Sequence, residues 1–116
     1  MIDTIMRGDT IEIALEFVEY ISEDLQLPVD ITGCVIWFTG KSSLNLPDDE
    51  ADIQVQGEII DAVNGIGKII LPYDKTNTLI PGNLYYDIQV TDANGDPYTY
   101  DYGVAVVYGD VTRRRI

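Results

Sequence analysis

The sequence predicts an all-β chain that folds as an antiparallel β-sandwich of about seven strands. Segments of alternating apolar and polar residues recur along the chain, as expected of strands with one buried face. Turn residues, including two Asn-Gly pairs, separate these segments about every ten residues. No segment keeps a helical period over more than about ten residues. Helix is therefore expected only as single turns, at 22–27 and 73–79.

The first strong strand pattern covers residues 9–18. Ile11, Ile13, Leu15 and Phe17 alternate with polar residues and so share one face. The length and clean amphipathic pattern predict an exposed edge strand that a strand of a neighbouring subunit can cap. Residues 33–41 (GCVIWFTGK) are instead apolar on both faces. This pattern predicts a central strand covered on both sides at least in part, with Trp37 in the core.

Four further strand segments follow, at 53–60, 68–71, 85–91 and 98–108, the last as one long strand or as two short ones broken near Gly103. Asn64-Gly65 and Asn94-Gly95 predict two hairpins, which join 53–63 to 66–71 and 85–92 to 97–102. Type I′ turns are expected at both pairs, because these turns need positive φ at two residues and Asn and Gly tolerate it best.

Residues 79–90 (LIPGNLYYDIQV) narrow the fold class. The pattern is typical of the tyrosine corner of Ig-like and fibronectin-like sandwiches, in which a tyrosine hydroxyl bonds back to the preceding loop. Tyr86 has the parity of the apolar strand positions, whereas Tyr85 has the usual spacing from Leu79, and either fits. We therefore predict one Ig-like or fibronectin-like domain over residues 1–116, with an N-terminal arm at 1–8 and a C-terminal tail at 109–116.

Composition restricts the possible functions. The chain has 116 residues, 46% of them hydrophobic, which is enough for one soluble domain with a real core. Twenty acidic residues against seven basic ones give a net charge of −13, which argues against binding nucleic acid or anionic membranes. There is no histidine and one cysteine, Cys34. This excludes Ser-His and Cys-His nucleophiles and makes a zinc site unexpected. We predict a non-enzymatic module without a cofactor or metal.

Two acidic segments are candidate binding sites. Asp48, Asp49 and Glu50 follow Pro47 and can form a solvated loop, a weak cation site or a docking patch for a basic neighbour. Residues 92–96 (DANGD) resemble a calcium loop only faintly. The glycine and the final acidic ligand of an EF-hand are out of position, which favours a plain hairpin turn. Cys34 has no local cation to lower its pKa, so we interpret it as a structural thiol.

A tyrosine stripe and a basic tail complete the candidates. Tyr98, Tyr100 and Tyr102 recur at period 2 and so share one strand face. That face either packs inward or forms an interface or sugar-stacking surface, and the less apolar partners on the other face favour the inward orientation. Arg113, Arg114 and Arg115 form either a frayed end or a docking tail that pairs with an acidic patch of a neighbour. The 48–52 loop of an identical subunit is one such patch.

The order of several short motifs resembles the small Ig-like domains of tailed-bacteriophage virion proteins, such as the N-terminal domain of upper baseplate proteins. The motifs span residues 7–113 and are 7–10 (RGDT), 27–33 (LPVDITG), 67–71 (GKIIL), 81–90 (PGNLYYDIQV) and 109–113 (GDVTR). The resemblance implies a virion structural role in the baseplate, neck, head decoration or fibre attachment. The acidic loop at 42–52 departs from the pattern of that family.

Two functional hypotheses follow. In the first, the chain is a phage or prophage virion protein, made in the bacterial host cytoplasm, whose partners are other virion subunits. Homo-oligomers are compatible with this role, whereas nucleic acid and membrane are not expected partners. In the second, it is a carbohydrate- or receptor-binding module that uses the tyrosine-rich face. A hydrolase is disfavoured because no histidine or activated nucleophile is present.

Overall fold

The computed structural model describes residues 2–109, and strands dominate this part of the chain. The strands are β1 (Thr4–Met6), β2 (Ile11–Glu16), β3 (Val18–Ser22), β4 (Leu25–Pro28), β5 (Val35–Lys41), β6 (Ile53–Gln56), β7 (Glu58–Asp61), β8 (Ile66–Leu71), β9 (Gly82–Thr91) and β10 (Pro97–Tyr108). The helical segments are a 3₁₀ turn at Asp48–Glu50 and a short helix, α1, at Tyr73–Thr76. The predicted all-β class is confirmed, as is the helical turn within 73–79.

The strands of the described residues form three sheets. One has five strands in the order β1-β10-β9-β5-β6, one has three in the order β2-β8-β7, and β3 pairs with β4 alone. Neighbouring strands are antiparallel except β1, which runs parallel to β10. Within residues 2–109, β2 pairs only with β8. The prediction that 9–18 contains an edge strand is therefore confirmed.

Alternating side chains of the two larger sheets meet in one core. On β2, Ile13 and Leu15 are buried, and Phe17 continues the same alternation just beyond the strand. The buried side chains of β5 and β9 join the same apolar cluster, in which the rings of Phe38 and Tyr86 stack with centroids 5.5 Å apart. Because apolar burial is the main favourable term in folding, this shared cluster is what joins the two sheets.

The chain changes sheets at Gly57, and the prediction of one strand over 53–60 is wrong. β6 pairs with β5, whereas β7 pairs with β8 of the other sheet. Between them the Gly57 N–H donates to the Ile36 carbonyl oxygen at 2.8 Å. A Cβ at position 57 would lie only 2.9 Å from Cγ2 of Ile36, so the backbone passes too close to β5 for any larger residue to fit undisturbed.

Both predicted hairpins are present, but the predicted turn type is wrong. β7 and β8 are joined across residues 62–65, and β9 and β10 across 92–96. A type I′ turn needs positive φ at two consecutive residues. Gly65 and Gly95 have positive φ, but no non-glycine residue of the described chain does, so Asn64 and Asn94 do not meet this requirement. In the second turn, the Asp92 carboxylate accepts the backbone N–H groups of Asn94 and Asp96, each at 2.9 Å. The 92–96 segment is thus a hairpin turn closed by its own aspartate.

The helical turn expected at 22–27 is also wrong. These residues belong to the β3–β4 hairpin, where Val18 pairs with Pro28 and Glu19 with Leu27. The base of the hairpin is fixed because the Val29 N–H donates to the Phe17 carbonyl oxygen at 3.0 Å. The rest of the hairpin is exposed, and a lone two-stranded hairpin is marginally stable in water.

Tyr86 does not form the expected tyrosine corner. It is buried, and its hydroxyl lies 3.3 Å from the backbone N and 3.4 Å from the carbonyl oxygen of Ile2, rather than near the loop before β9. Burial raises the pKa of this phenol, which therefore stays neutral. The segment predicted as an N-terminal arm thus contains β1, and Ile5 is fully buried. Of the predicted tail at 109–116, only Gly109 lies within the described residues.

Candidate functional site

The side of the five-stranded sheet that faces away from the core is a candidate binding surface, and we name it the outer face. Strand alternation places Trp37 of β5 and Tyr102, Val104 and Tyr108 of β10 on it. Trp37 is 38% exposed and Tyr102 is 77% exposed. Monomeric soluble proteins rarely leave large contiguous apolar patches uncovered. The prediction that Trp37 lies in the core is wrong, whereas β5 is covered fully on its inner side and in part on its outer side.

Strand register arranges the outer face in rows across the sheet. Asp87 of β9 lies between Thr39 of β5 and Tyr102 of β10. In the next row, Tyr85 lies between Lys41 and Val104. The Asp87 carboxylate thus lies among Tyr85, Tyr102 and the polar side chains of Thr39 and Lys41, and tyrosine is a residue type enriched at protein interfaces.

A cleft of about 500 Å³ opens on the outer face beside the acidic loop. Tyr85, Asp87 and Tyr102 line it from the sheet, and Asp48 lines it from the loop. Desolvation raises the pKa of Asp87, the nearby charge of Asp48 raises it further, and Lys41 opposes both effects. A half-buried carboxylate between two tyrosines can accept hydrogen bonds from a hydroxyl or pair with a cationic side chain.

The acidic segment predicted as a candidate site lies at the rim of this cleft. Asp48, Asp49 and Glu50 form the exposed 3₁₀ turn. Asp48 is already paired with Lys41, whose Nζ lies 2.7 Å from its carboxylate oxygen. The Asp52 carboxylate folds back onto the chain and accepts the Ser42 N–H. Residues 2–109 contain no group of three or more His, Cys, Asp or Glu side chains placed to hold a metal ion.

The predicted tyrosine stripe does not lie on one face, because β10 carries a β-bulge between Thr99 and Asp101. Tyr98 pairs with Val90, whose side chain is buried, whereas Tyr102 pairs with Asp87 on the outer face. One extra residue in one strand reverses the orientation of everything beyond it. The inward orientation predicted for the whole stripe is therefore wrong for Tyr102.

Tyr98 and Tyr100 line a second cleft, which we name the hairpin groove. It has a volume of about 740 Å³ and lies between β3 and the first half of β10. Its aromatic walls are Tyr20, Tyr98 and Tyr100, with Phe17 below, and the Tyr100 ring lies 4.5 Å from that of Phe17. The Tyr100 hydroxyl donates to the Glu16 carbonyl oxygen at 3.0 Å. Glu16, Glu19 and Asp101 add carboxylates to the lining.

Sequence reasoning missed the exposed apolar side chains of the β3–β4 hairpin. Tyr20 is 70% exposed and Ile21 is 52% exposed, and Leu25 and Leu27 are also exposed. The available signal was the short strand pattern before the acidic pair Glu23-Asp24, which sits at the hairpin turn. The hairpin therefore adds a second, separate apolar surface to the molecule.

Two predicted features remain, the thiol of Cys34 and the C-terminal arginine run. Cys34 lies just before β5 and packs partly against the core. Burial raises the pKa of its thiol, and the charge of Asp92 raises it further. Arg113, Arg114 and Arg115 lie outside the described residues.

No helix within residues 2–109 is long and apolar enough to cross a membrane. The comparisons with known proteins assign no family to the chain: its sequence matches no protein-family model, and no curated protein is significantly similar to it.

Proposed function

We propose that the chain is an Ig-like β-sandwich that serves as a non-enzymatic structural protein of a tailed-phage or prophage particle. The strand order supports the fold. In an immunoglobulin variable-type domain, one sheet contains C′, C, F and G and the other contains B, E and D. The observed orders β6-β5-β9-β10 and β7-β8-β2 correspond to C′-C-F-G and D-E-B, with β1 beside the G strand. The β3–β4 hairpin is then an insertion between B and C.

The observation that carries the proposed function is the uncovered outer face. Its exposed tryptophan, tyrosines and valines form a surface suited to burial against another protein. Recognition through such a face needs no catalytic pocket, in keeping with a sequence that lacks histidine. The net charge of −13 adds a field that steers basic neighbours toward the molecule.

The virion assignment rests on the sequence resemblance and is tested in the particle. We would label intact particles with a gold-conjugated antibody and view them by electron microscopy. Gold at the tail tip or neck makes the chain a baseplate or connector component, and gold at the head makes it a decoration component. Particles that carry none of the chain would contradict the proposal.

The docking surface is tested by a matched pair of charge insertions. Tyr102→Arg places a cation on the outer face, whereas Tyr73→Arg does so on α1, where the Tyr73 N–H donates to the Thr10 hydroxyl just before β2 of the other sheet. Both side chains are highly exposed, at 77% and 64%, so neither substitution disturbs the core. We expect Tyr102→Arg chains to fold normally but fail to enter particles, while Tyr73→Arg chains enter like the parent. Equal incorporation of both would show that the outer face is not the docking surface.

The cleft between Tyr85 and Tyr102 favours carbohydrate or receptor binding as a second candidate function. Two aromatic rings beside the Asp87 carboxylate and the Gln89 amide offer the stacking and hydrogen-bonding groups that a sugar needs. A glycan array tests this candidate directly. Saturable binding that is lost in Tyr102→Ala but kept in Tyr98→Ala would support it, and no binding on the array would remove it.

A further inference from the structure

The hairpin groove combines aromatic walls with negative charge. Tyr20, Tyr98 and Tyr100 supply ring faces, and Glu16, Glu19 and Asp101 supply the carboxylates. Within residues 2–109, no lysine or arginine lines it. Burial raises the pKa of Tyr98, so this phenol stays neutral and presents its ring and hydroxyl rather than a charge.

This combination suits arginine better than other side chains. The guanidinium group is planar, stacks on aromatic rings and donates paired hydrogen bonds to carboxylates. The chain has only seven basic residues, and three of them are the consecutive Arg113, Arg114 and Arg115. The arginine run of the chain thus has the positive charge that complements the acidic hairpin groove. We propose that Arg113–Arg115 of one copy of this chain bind in the hairpin groove of a second copy.

Distance keeps the backbone at the centre of the arginine run outside the groove of the same chain. The five residues from Gly109 to Arg114 span at most about 18 Å when fully extended. Tyr100 and Tyr98 lie nine and eleven residues back from Gly109 along β10, about 30 and 36 Å at the rise of a strand. Because β10 carries the groove at its start and leads into the tail at its end, the two halves of the contact come from different copies.

The groove is a better acceptor than the acidic loop at 48–52. In that loop Asp48 is already paired with Lys41, and Asp52 already accepts the Ser42 N–H. The cleft beside that loop also contains tyrosines, but it is lined by Lys41, whereas no cationic side chain of residues 2–109 lines the groove. A contact that joins the tail of one copy to the groove of the next is heterologous, so it closes into a ring or extends as a row of subunits. This inference does not depend on the virion proposal.

The test measures self-association of the full 116-residue chain by sedimentation velocity. The first variant is R113E/R114E/R115E, which reverses the charge of the tail. The second is Glu19→Lys, which reverses one charge in the groove. Its matched control is Glu12→Lys, an equal charge change at an exposed position of β2 outside the groove. Circular dichroism of each variant verifies that the fold is kept.

We expect the parent chain to associate with rising concentration and the triple variant to stay monomeric. Glu19→Lys should weaken association about tenfold and Glu12→Lys less than about twofold, because only the first removes a direct charge contact. Raising NaCl from about 0.05 M to about 0.5 M should weaken association of the parent, since salt screens exposed charge pairs. A parent chain that stays monomeric, an associating triple variant, or equal effects of the two lysine variants would each overturn the proposal.

A peptide experiment locates the contact. A synthetic peptide of residues 109–116 (GDVTRRRI) is titrated into the triple variant, whose own tail cannot compete. We expect amide chemical-shift changes at Glu19, Tyr98 and Tyr100, and loss of these changes in Tyr98→Ala. Shift changes confined to residues 48–52, or no binding at all, would refute the assignment of the groove.

Discussion

Replacing Gly65 with alanine should destabilise the protein far more than the same replacement at Gly95. Both glycines follow an asparagine in a hairpin turn, and both have positive φ, at 69° and 88°. A Cβ at Gly95 would meet nothing within 4 Å, whereas a Cβ at Gly65 would lie 2.6 Å from the carbonyl oxygens of both Phe17 and Val29. Comparing the two alanine substitutions therefore separates the cost of positive φ from the cost of a steric clash.

The expected magnitudes follow from these distances. Positive φ costs an alanine about 1–2 kcal/mol, and the stiffer unfolded chain returns about 0.4–1 kcal/mol. Gly95→Ala should therefore lose about 1 kcal/mol of unfolding free energy or less. Gly65→Ala must also displace the Phe17 segment, straining the bonds from Phe17 N to Gly65 O at 2.8 Å and from Val29 N to Phe17 O at 3.0 Å. With about 0.5–1.5 kcal/mol for each bond, its total loss is about 2–4 kcal/mol.

Urea unfolding followed by far-UV circular dichroism measures the difference. With a slope of about 1–1.5 kcal/mol/M for a protein of this size, the midpoint of Gly65→Ala should fall by about 2 M and that of Gly95→Ala by less than about 1 M. Equal midpoints would refute the reasoning, because they would mean that a Cβ at position 65 does not clash with the base of the β3–β4 hairpin. The result matters for the hairpin groove, since Phe17 lies beneath it.

Three further predictions concern single side chains. Thr76→Val should cost about 1–2 kcal/mol in urea unfolding, because the fully buried Thr76 hydroxyl donates to the Asp9 carbonyl oxygen at 2.7 Å. Cys34 should react slowly with iodoacetamide at pH 7 and faster as the pH approaches 9 and above, because burial and the charge of Asp92 raise its thiol pKa above 9.0. Burial raises the pKa of Asp87 above 3.8, so ionising it opposes folding and stability is lost as the pH rises from that value through the folded-state pKa. Asp87→Asn should therefore raise the urea midpoint at pH 7 relative to the parent and have a smaller effect near pH 3.5.

The strands that sequence reasoning predicted well are those with local signals. Residues 11–16 and 82–91 alternate with period 2, and alternation needs no knowledge of the partner strand to identify a buried face. The two Asn-Gly pairs likewise mark hairpins from the local chain alone. Turn type was beyond reach because Asn64 and Asn94 tolerate positive φ without requiring it, and both keep negative φ here.

What the sequence concealed depends on contacts between distant residues. The alternation across 53–60 looks like one strand because period 2 is the same whichever sheet a strand joins, so the change of partner at Gly57 leaves no trace in it. The Tyr98–Tyr102 segment alternates without interruption, yet the bulge after Thr99 turns Tyr102 to the opposite face. A bulge is set by register against β9 and by twist, neither of which a single strand specifies.

The error at Trp37 carries functional information. Residues 33–41 are apolar on both faces, a pattern typical of strands that are covered on both faces. The core covers Ile36 and Phe38, but Val35 and Trp37 are left exposed at 37% and 38%. Within the isolated chain, the core therefore covers only one of the two apolar faces of β5. We expect the second cover to come from a neighbouring subunit.

Hydroxyl-radical footprinting of assembled particles tests this expectation, because mass spectrometry reads each residue of the chain within a mixture of proteins. Trp37 is the single tryptophan of the chain and oxidises readily when exposed, and Tyr73 on α1, beside Thr10 at the start of β2, serves as an exposed reference residue. Assembly should suppress oxidation of Trp37 severalfold relative to Tyr73, because only the outer face becomes buried. If Trp37 and Tyr73 keep the oxidation ratio of the free chain, the outer face stays in solvent, and its apolar surface requires an explanation other than docking.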